Sequence, residues 1–425
     1  MPDILLLLAQ IAGITVVARL VGRGIALLGQ PYVVGEMLAG ILLGPSFLGW
    51  IAPDVWRALF PVASLGFLSA LSQIGLVFYM FLVGLELDVR HLRGRQHAAV
   101  ITSHASIIAP FFLGVCVALL LYPRVSDDSV SFTAFALFMG AAMSVTAFPV
   151  LARMLAERGL LRTRLGTVAI ACAAVDDVSA WCLLAAVAVV ARAGASTMSL
   201  PMMFGGAVLY ATLMLTVVRW GLGRLRHVVE RRGELSQDVV AFVVFFILAS
   251  ALVTERLGIH AVFGAFLAGV VMPRDTRFSG ALLDRFHDLM VILFLPLFFA
   301  FTGLRTSIQL IEGNLWVLAI LVLLVAVAGK VGGSALAARA SGLTWRESWA
   351  IGTLMNTRGL MELVILNVGL DLGVVSPALF AMMVVMALVT TFMTTPLLER
   401  IYPTHLVHST EAAEAAEAAE AEVPA

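Results

Sequence analysis

The sequence predicts an all-α integral membrane protein of about 13 transmembrane helices, arranged as two inverted six-helix repeats with broken crossing helices. Three observations carry this. Of 425 residues, 61% are hydrophobic and only 13% charged, with a mean hydropathy of +1.01, whereas a soluble domain carries about 25% charged residues. Long apolar stretches recur along the whole chain without the period-2 alternation of a membrane barrel. Short motifs of the first half return in the second, displaced by an odd number of spans.

A membrane helix needs roughly 20 mainly apolar residues. Such stretches run over 4–28, 31–48, 63–85, 97–121, 132–154, 165–191, 200–220, 238–255, 258–272, 284–304, 314–338, 346–370 and 376–398. Those at 31–48 and 258–272 are short, and Gly40, Gly44 and Gly269 thin them further. The opening Met1-Pro2-Asp3 lacks the positive region of a cleaved signal peptide, so the first stretch reads as a true span. Loops after odd-numbered spans, with the C-terminus, hold 20 of the 27 basic residues, and the opposite side holds 5. That bias places the N-terminus outside and the C-terminus in the cytoplasm. Residues 399–425 form a low-complexity tail, a Glu-Ala-Ala repeat from Glu411 with no apolar face to bury, expected to be disordered or a solvated helix. The zero net charge gives no case for a nucleic-acid partner. Cys116, Cys172 and Cys182 lack metal-ligand spacing and predict no disulfide framework.

The repeat shows in two matches. Gly35-Glu36-Met37-Leu38-Ala39-Gly40 corresponds to Gly264-Ala265-Phe266-Leu267-Ala268-Gly269, at an offset of 229. Phe81-Leu82-Val83-Gly84-Leu85 corresponds to Ala300-Phe301-Thr302-Gly303-Leu304, at an offset of 219. Each pairs a span with the one seven places on, which reverses its direction through the membrane and leaves the seventh span as linker. Inverted repeats belong to secondary transporters, which place their site at the midplane between them.

Charges at the bilayer centre are expensive, at least about 2.5–3.5 kcal/mol each on insertion scales, and are functional candidates by default. Asp176 and Asp177 fall mid-way along 165–191, and Lys330, the only lysine in the chain, falls well inside 314–338. A buried ammonium loses its proton far more readily than a guanidinium. Adjacent helical positions point about 100° apart, so the two aspartates have different roles: one pairs with Lys330 and the other faces a cavity. The same geometry disfavours an intramembrane aspartyl protease, whose carboxylates must converge on one water. A purely structural buried pair is the alternative.

The fifth and twelfth spans carry polar, helix-breaking insertions at equivalent places, Ser144-Val145-Thr146-Ala147-Phe148-Pro149 and Asn356-Thr357-Arg358-Gly359. Proline removes a backbone donor and frees a carbonyl, and freed carbonyls at membrane depth are suitable cation ligands. Arg358 and Glu362, four apart on one face, are expected to neutralise each other rather than to bind an ion. His104 reads as a hydrogen-bonded core residue. Glu36 either lines the cytoplasmic approach or faces an oligomer interface, and Glu86 and Asp88 mark a helix end with Arg90 nearby.

These residues resemble the monovalent cation:proton antiporter-2 family, within the sodium/proton exchanger superfamily, from about residue 31 to 398. The resemblance rests on Pro31-Tyr32-Val33-Val34-Gly35-Glu36 through Leu43-Gly44-Pro45, on Ser144 to Arg153, on Ala174-Val175-Asp176-Asp177-Val178, and on Asn356 to Leu363. The first and last are most similar to the plant and fungal cation/proton exchanger branch and its bacterial relatives. The resemblance implies a sodium/proton antiporter-like fold over 1–398. Its dimer domain would cover about 1–90 and 238–304, its core domain about 97–191 and 314–398, and its linker helix about 200–220. It implies a homodimer in a bacterial inner membrane, embedded in lipid and working by elevator-like movement of the core. It makes Asp177 the carboxylate that binds cation or proton, pairs Asp176 with Lys330, sets Thr146 near the ion, and leaves Ser144, Pro149, Asn356, Arg358 and Glu362 as structural neighbours. No cofactor is implied beyond the transported Na+ or K+ and H+. Both acids with the lysine imply electrogenic exchange, whereas the plant branch usually lacks the first aspartate. A potassium efflux system is the nearest alternative. A cation channel would need a continuous lined pore, which one acid pair with a lysine beside it does not suggest, and a receptor or scaffold leaves the buried charges unexplained.

Overall fold

The computed structural model describes residues 4–86, 96–127, 130–160, 163–192, 200–223, 235–257, 260–273 and 276–403. Asp88, Arg90 and the repeat from Glu411 lie outside them. The described residues are helical throughout, with no strand. Ten helices among them are long and apolar enough to cross a membrane. The remaining expected spans are one short apolar helix and two broken ones.

In chain order the α-helices of eight or more residues are α1 (Ile4–Leu27), α2 (Tyr32–Leu43), α3 (Val62–Glu86), α4 (Gln96–Val125), α5 (Phe132–Ser144), α6 (Phe148–Glu157), α7 (Arg164–Arg192) and α8 (Leu200–Leu213). There follow α9 (Gln237–Arg256), α10 (Ala261–Val270), α11 (Thr276–Leu289), α12 (Leu295–Leu304), α13 (Asn314–Val327), α14 (Gly333–Ala340), α15 (Trp345–Met355), α16 (Leu360–Asp371) and α17 (Pro377–Ile401). Single π-helical turns join α11 to α12 and α13 to α14. Large apolar side chains such as Val208, Phe245, Val317 and Leu324 stand exposed, while Arg358, Lys330 and Glu362 are fully buried. This distribution suits a chain whose surroundings are hydrocarbon and whose polar groups must be satisfied internally.

The repeated glycines explain how the halves fit. Gly40 of α2 and Gly303 of α12 face each other so closely that a Cβ on either would collide with the other helix's backbone. Gly84 of α3 and Gly269 of α10 make the same contact. By the sequence repeat, α2 corresponds to α10 and α3 to α12. The two crossings are therefore symmetry-related, each joining one helix from each half. Small residues at a crossing let backbones approach closely, which is the main source of helix association in lipid.

A second set of helices packs around the breaks. α4 lies against α5, α7, α13 and α14, and α15 against α7, α14 and α17. α5 begins at a Ser131 cap whose hydroxyl accepts from the Ala134 amide, and ends at Ser144, where Val145 turns extended. Pro149 is the second residue of α6, a position where its missing N–H costs nothing. α15 opens on a Thr344–Glu347 capping box and closes at Asn356. The two breaks meet: the Ala147 amide donates to the Thr357 carbonyl at 2.9 Å.

Candidate functional site

α7 carries Asp176 and Asp177 to the crossing, both about 1% exposed. Asp176 is saturated with donors. Its Oδ2 receives Lys330 Nζ at 2.7 Å and the Ser106 and Thr146 hydroxyls at 2.7 and 2.9 Å, while its Oδ1 lies 2.9 Å from both the Ser103 and Ser106 hydroxyls. Lys330 is equally complete. Its three protons go to Asp176, to the Ser106 carbonyl at 2.9 Å and to the Ser144 carbonyl at 2.5 Å, which is all an ammonium can donate.

The local sequence explains how Lys330 gets there. It sits in the π-helical turn Ala328–Gly332, a distortion common at functional sites. A Cβ on Gly329 would lie 2.9 Å from Pro110 Cα, and one on Gly333 would lie 2.7 Å from Ala109 Cβ. Glycine on either side of the lysine thus lets this helix press against α4 until Nζ reaches the Ser106 carbonyl.

Asp177 is the opposite case. Neither of its carboxylate oxygens has a hydrogen-bond partner among the described residues. The group nearest to that role is the backbone amide of Phe148, a first-turn donor at the positive end of α6. Asn356 Oδ1 and Thr357 Oγ1 are also buried without hydrogen-bond partners among the described residues. Thr357 is tied through its carbonyl to Ala147, one residue from that same Phe148 amide. The region of the crossing therefore holds a carboxylate without a hydrogen-bond partner on α7 and buried oxygens without partners on the second break, a chemistry suited to an alkali cation or a proton.

The freed carbonyls of α5 behave differently from the expectation that they serve as cation ligands. Arg358 donates to the Ala142 and Met143 carbonyls, both at 2.8 Å, and Lys330 takes Ser144. Two fixed cations thus cap the negative end of the broken helix. Arg358 Nη1 also meets Glu362 Oε2 at 2.7 Å, a wholly buried i, i+4 pair, as its spacing predicts. Thr391 of α17 grips Arg358 from behind, accepting from its amide at 3.1 Å and donating to its carbonyl at 2.7 Å.

The expected site residues come together with two adjustments. The Thr146 hydroxyl lies on Asp176 and the Met355 carbonyl, 2.9 Å from each, and not on Asp177. The Ser144 hydroxyl turns to the Gly140 and Ile107 carbonyls, so that residue reaches the pair only through its backbone. His104 is exposed, contrary to its reading as a core residue, and Glu36 is 2% exposed, which removes it from any open oligomer face. Ser103, Ser106 and Thr391 escaped the sequence reading. Their signal was available: two serines three apart on one face of an apolar span, and the threonine pairs Thr390-Thr391 and Thr394-Thr395 in another.

The family model for the sodium/hydrogen exchanger transmembrane region matches residues 12–400. The chain is 45% identical over 402 residues to the Na(+)/H(+) antiporter NhaS4 of Synechocystis sp., covering 94% of this chain and 98% of that one. It is 40% identical over 398 residues to Cation/H(+) antiporter 17 of Arabidopsis thaliana, covering 93% of this chain and 48% of that one. It is 33% identical over 408 residues to K(+)/H(+) antiporter 1 of Saccharomyces cerevisiae, covering 94% of this chain and 46% of that one. The chain thus spans about half the length of these plant and yeast relatives. The fold resembles the sodium proton antiporter MjNhaP1 from Methanocaldococcus jannaschii at pH 8, with a TM-score of 0.65 at 15% identity over 94% of this chain and 97% of that one. With its broken helices crossing beside a buried acid pair, and its sequence matched almost from end to end, the chain belongs to the sodium/hydrogen exchanger family.

Proposed function

We propose that this protein is a secondary antiporter exchanging a monovalent cation, Na+ or K+, for protons by alternating access, with Asp177 as the group that carries one or the other. The observation that carries the reading is the contrast between two adjacent buried carboxylates. Asp176 is fully engaged, and neither oxygen of Asp177 has a hydrogen-bond partner among the described residues. A buried carboxylate without donors must be neutralised. A proton or a cation does so, but not both, and competition for one group couples the two fluxes. The names of the relatives support both cations, since they are Na(+)/H(+) and K(+)/H(+) antiporters.

Asp176 and Lys330 open as a pair during the cycle. When the cation binds at Asp177, the ammonium gives up a proton as well. Two protons then leave for each cation that enters, and transport carries net charge.

The helices divide into a scaffold of α1–α3 and α9–α12 and a moving core of α4–α7 and α13–α17, joined through α8, in a homodimer of a bacterial inner membrane with the N-terminus outside. Contacts across the two ends of that division support the reading. At one end Arg305 of the scaffold bonds Asp371 at 2.7 Å and Asn367 at 3.2 Å on α16, leaving only a crevice of about 20 Å³. At the other, a cleft of about 420 Å³ opens between Gln30 and Pro31 on one side and Met154, Arg158, Thr395 and Glu399 on the other. Those residues fall on the side that the basic-residue bias makes cytoplasmic, so this conformation faces inward. Reconstitution in liposomes with a pH-sensitive dye, adding Na+, K+ or Li+ in turn, tests the function. Dye recovery with one or more cations supports it, and cation flux without proton movement would favour the channel alternative.

A further inference from the structure

We propose that Glu86 and Arg158 form the ion pair that closes the cytoplasmic mouth when the site turns outward, a step that rests on the division into scaffold and core given above.

The scaffold repeats itself at its two ends. The offset of 219 that carries Gly84 onto Gly303 carries Glu86, the last residue of α3, onto Arg305, which caps α12. The offset of 229 that carries Gly40 onto Gly269 carries Pro31 onto His260. The two gaps between scaffold and core follow the same correspondence. Pro31 lines the cytoplasmic cleft, and His260 lines the crevice at the opposite end. The core walls match as well. Met154 and Arg158, four apart at the end of α6, line the cleft, and Asn367 and Asp371, four apart at the end of α16, line the crevice. α6 and α16 are the helices that follow the two breaks.

At the closed crevice Arg305 donates to Asp371 at 2.7 Å and to Asn367 at 3.2 Å. The corresponding residues at the cleft carry the opposite charges. Glu86 stands in the place of Arg305, and Arg158 in the place of Asp371. Reversing the sign on both walls keeps the pair attractive. In the present conformation the cleft is open and the two are not paired. Arg158 is held within the core instead, 2.7 Å from the Glu399 carboxylate and 3.3 Å from the Thr395 carbonyl of α17. Glu86 is exposed and makes no ion pair among the described residues. His287 of α11 acts on it from nearby but lies 3.6 Å from Asp288.

Inverted repeats let the core take equivalent positions against either end of the scaffold. A movement that opens the crevice breaks Arg305–Asp371 and brings the end of α6 towards the end of α3. The Glu399 side chain is 62% exposed, so its hold on Arg158 is that of a surface pair, weak and readily exchanged. Arg158 passes from Glu399 to Glu86, and each conformation keeps one bridge between scaffold and core.

The test is the apparent cation affinity from each face, measured by pH dye in liposomes of known protein orientation. The variants are Glu86→Gln, Arg158→Gln, their double, Asp371→Asn, and Glu86→Gln with Asp371→Asn, each first shown to elute as a single species. Removing a contact made only in the outward conformation populates the inward one. Glu86→Gln is therefore expected to change the ratio of inner-face to outer-face affinity by about two- to fivefold in favour of the inner face, the range of an exposed pair. Asp371→Asn is expected to change it in the opposite sense, and the two together to return it towards wild type. Glu86→Gln is expected to add nothing in the Arg158→Gln background. A ratio that Asp371→Asn moves and Glu86→Gln leaves unchanged, or moves in the same sense, overturns the inference alone. So does a Glu86→Gln effect that persists in full without Arg158. An unchanged ratio in both Glu86→Gln and Asp371→Asn, with exchange intact, overturns the scaffold and core division and this inference with it.

Discussion

Lys330 Nζ lies 2.7 Å from Asp176 Oδ2, with both side chains wholly buried and the lysine's remaining protons on two backbone carbonyls. Removing one member of such a pair strands the other charge, which costs about 3–5 kcal/mol. Lys330→Ala is therefore expected to lower the thermal melting temperature in detergent. Asp176→Asn combined with Lys330→Ala is expected to recover part of the loss. Thermal unfolding of Lys330→Ala, Asp176→Asn and the double variant checks this, and a double variant less stable than either single one would be the contrary result.

Thr146→Ala removes a hydroxyl that faces Asp176 and Met355 rather than Asp177. Its expected effect is on maximal exchange rate, with the apparent cation affinity changed less than about threefold, the range of a hydrogen bond that is not made to the ion. A titration of dye response against cation concentration separates the two. A tenfold loss of affinity at unchanged maximal rate would return Thr146 to the ion.

Arg305, which caps α12, bridges to Asp371 on α16 across the proposed scaffold–core division, with side chains 23% and 32% exposed. A bridge this exposed contributes up to about 1 kcal/mol. Asp371→Asn should shift the balance of inward and outward conformations by up to about fivefold and raise apparent affinity for cation presented from the outer side. Sided uptake measurements check it. Equal change from both sides would mark the bridge as unrelated to the movement.

Gly303 has no room for a Cβ because Gly40 backbone fills the space. Gly303→Leu is expected to abolish folded protein in the membrane, as overpacking at a rigid backbone contact does. Size-exclusion elution of the extracted variant tests this, and a monodisperse wild-type peak would contradict the crossing.

Much of this was legible in the sequence because membranes make buried charge expensive and therefore conspicuous. Asp176, Lys330 and Arg358 stood out against apolar runs, and the glycines of the repeat sat at the crossings that the repeat implies. What hydropathy could not reveal was partnership. Which aspartate took the lysine depended on the rotation of α7, and two residues 100° apart look alike in a string. The carbonyls of α5 were visible as freed but not as already capped by Arg358 and Lys330, since those donors come from over 180 residues away. Ser103 and Ser106 were overlooked because serine is common at helix contacts and becomes informative only when its acceptor is known.

The most direct measurement is cation-driven proton flux in liposomes holding wild type or Asp177→Asn, each first shown to elute as a single species and to melt at a similar temperature. Replacing the carboxylate with an amide keeps its size and removes the charge for which proton and cation compete. Expected is a clear dye response for wild type with Na+ or K+, and none above empty liposomes for Asp177→Asn at any cation gradient. Exchange by a folded Asp177→Asn protein at near wild-type rate would contradict the assignment of Asp177 as the group that couples the two ions.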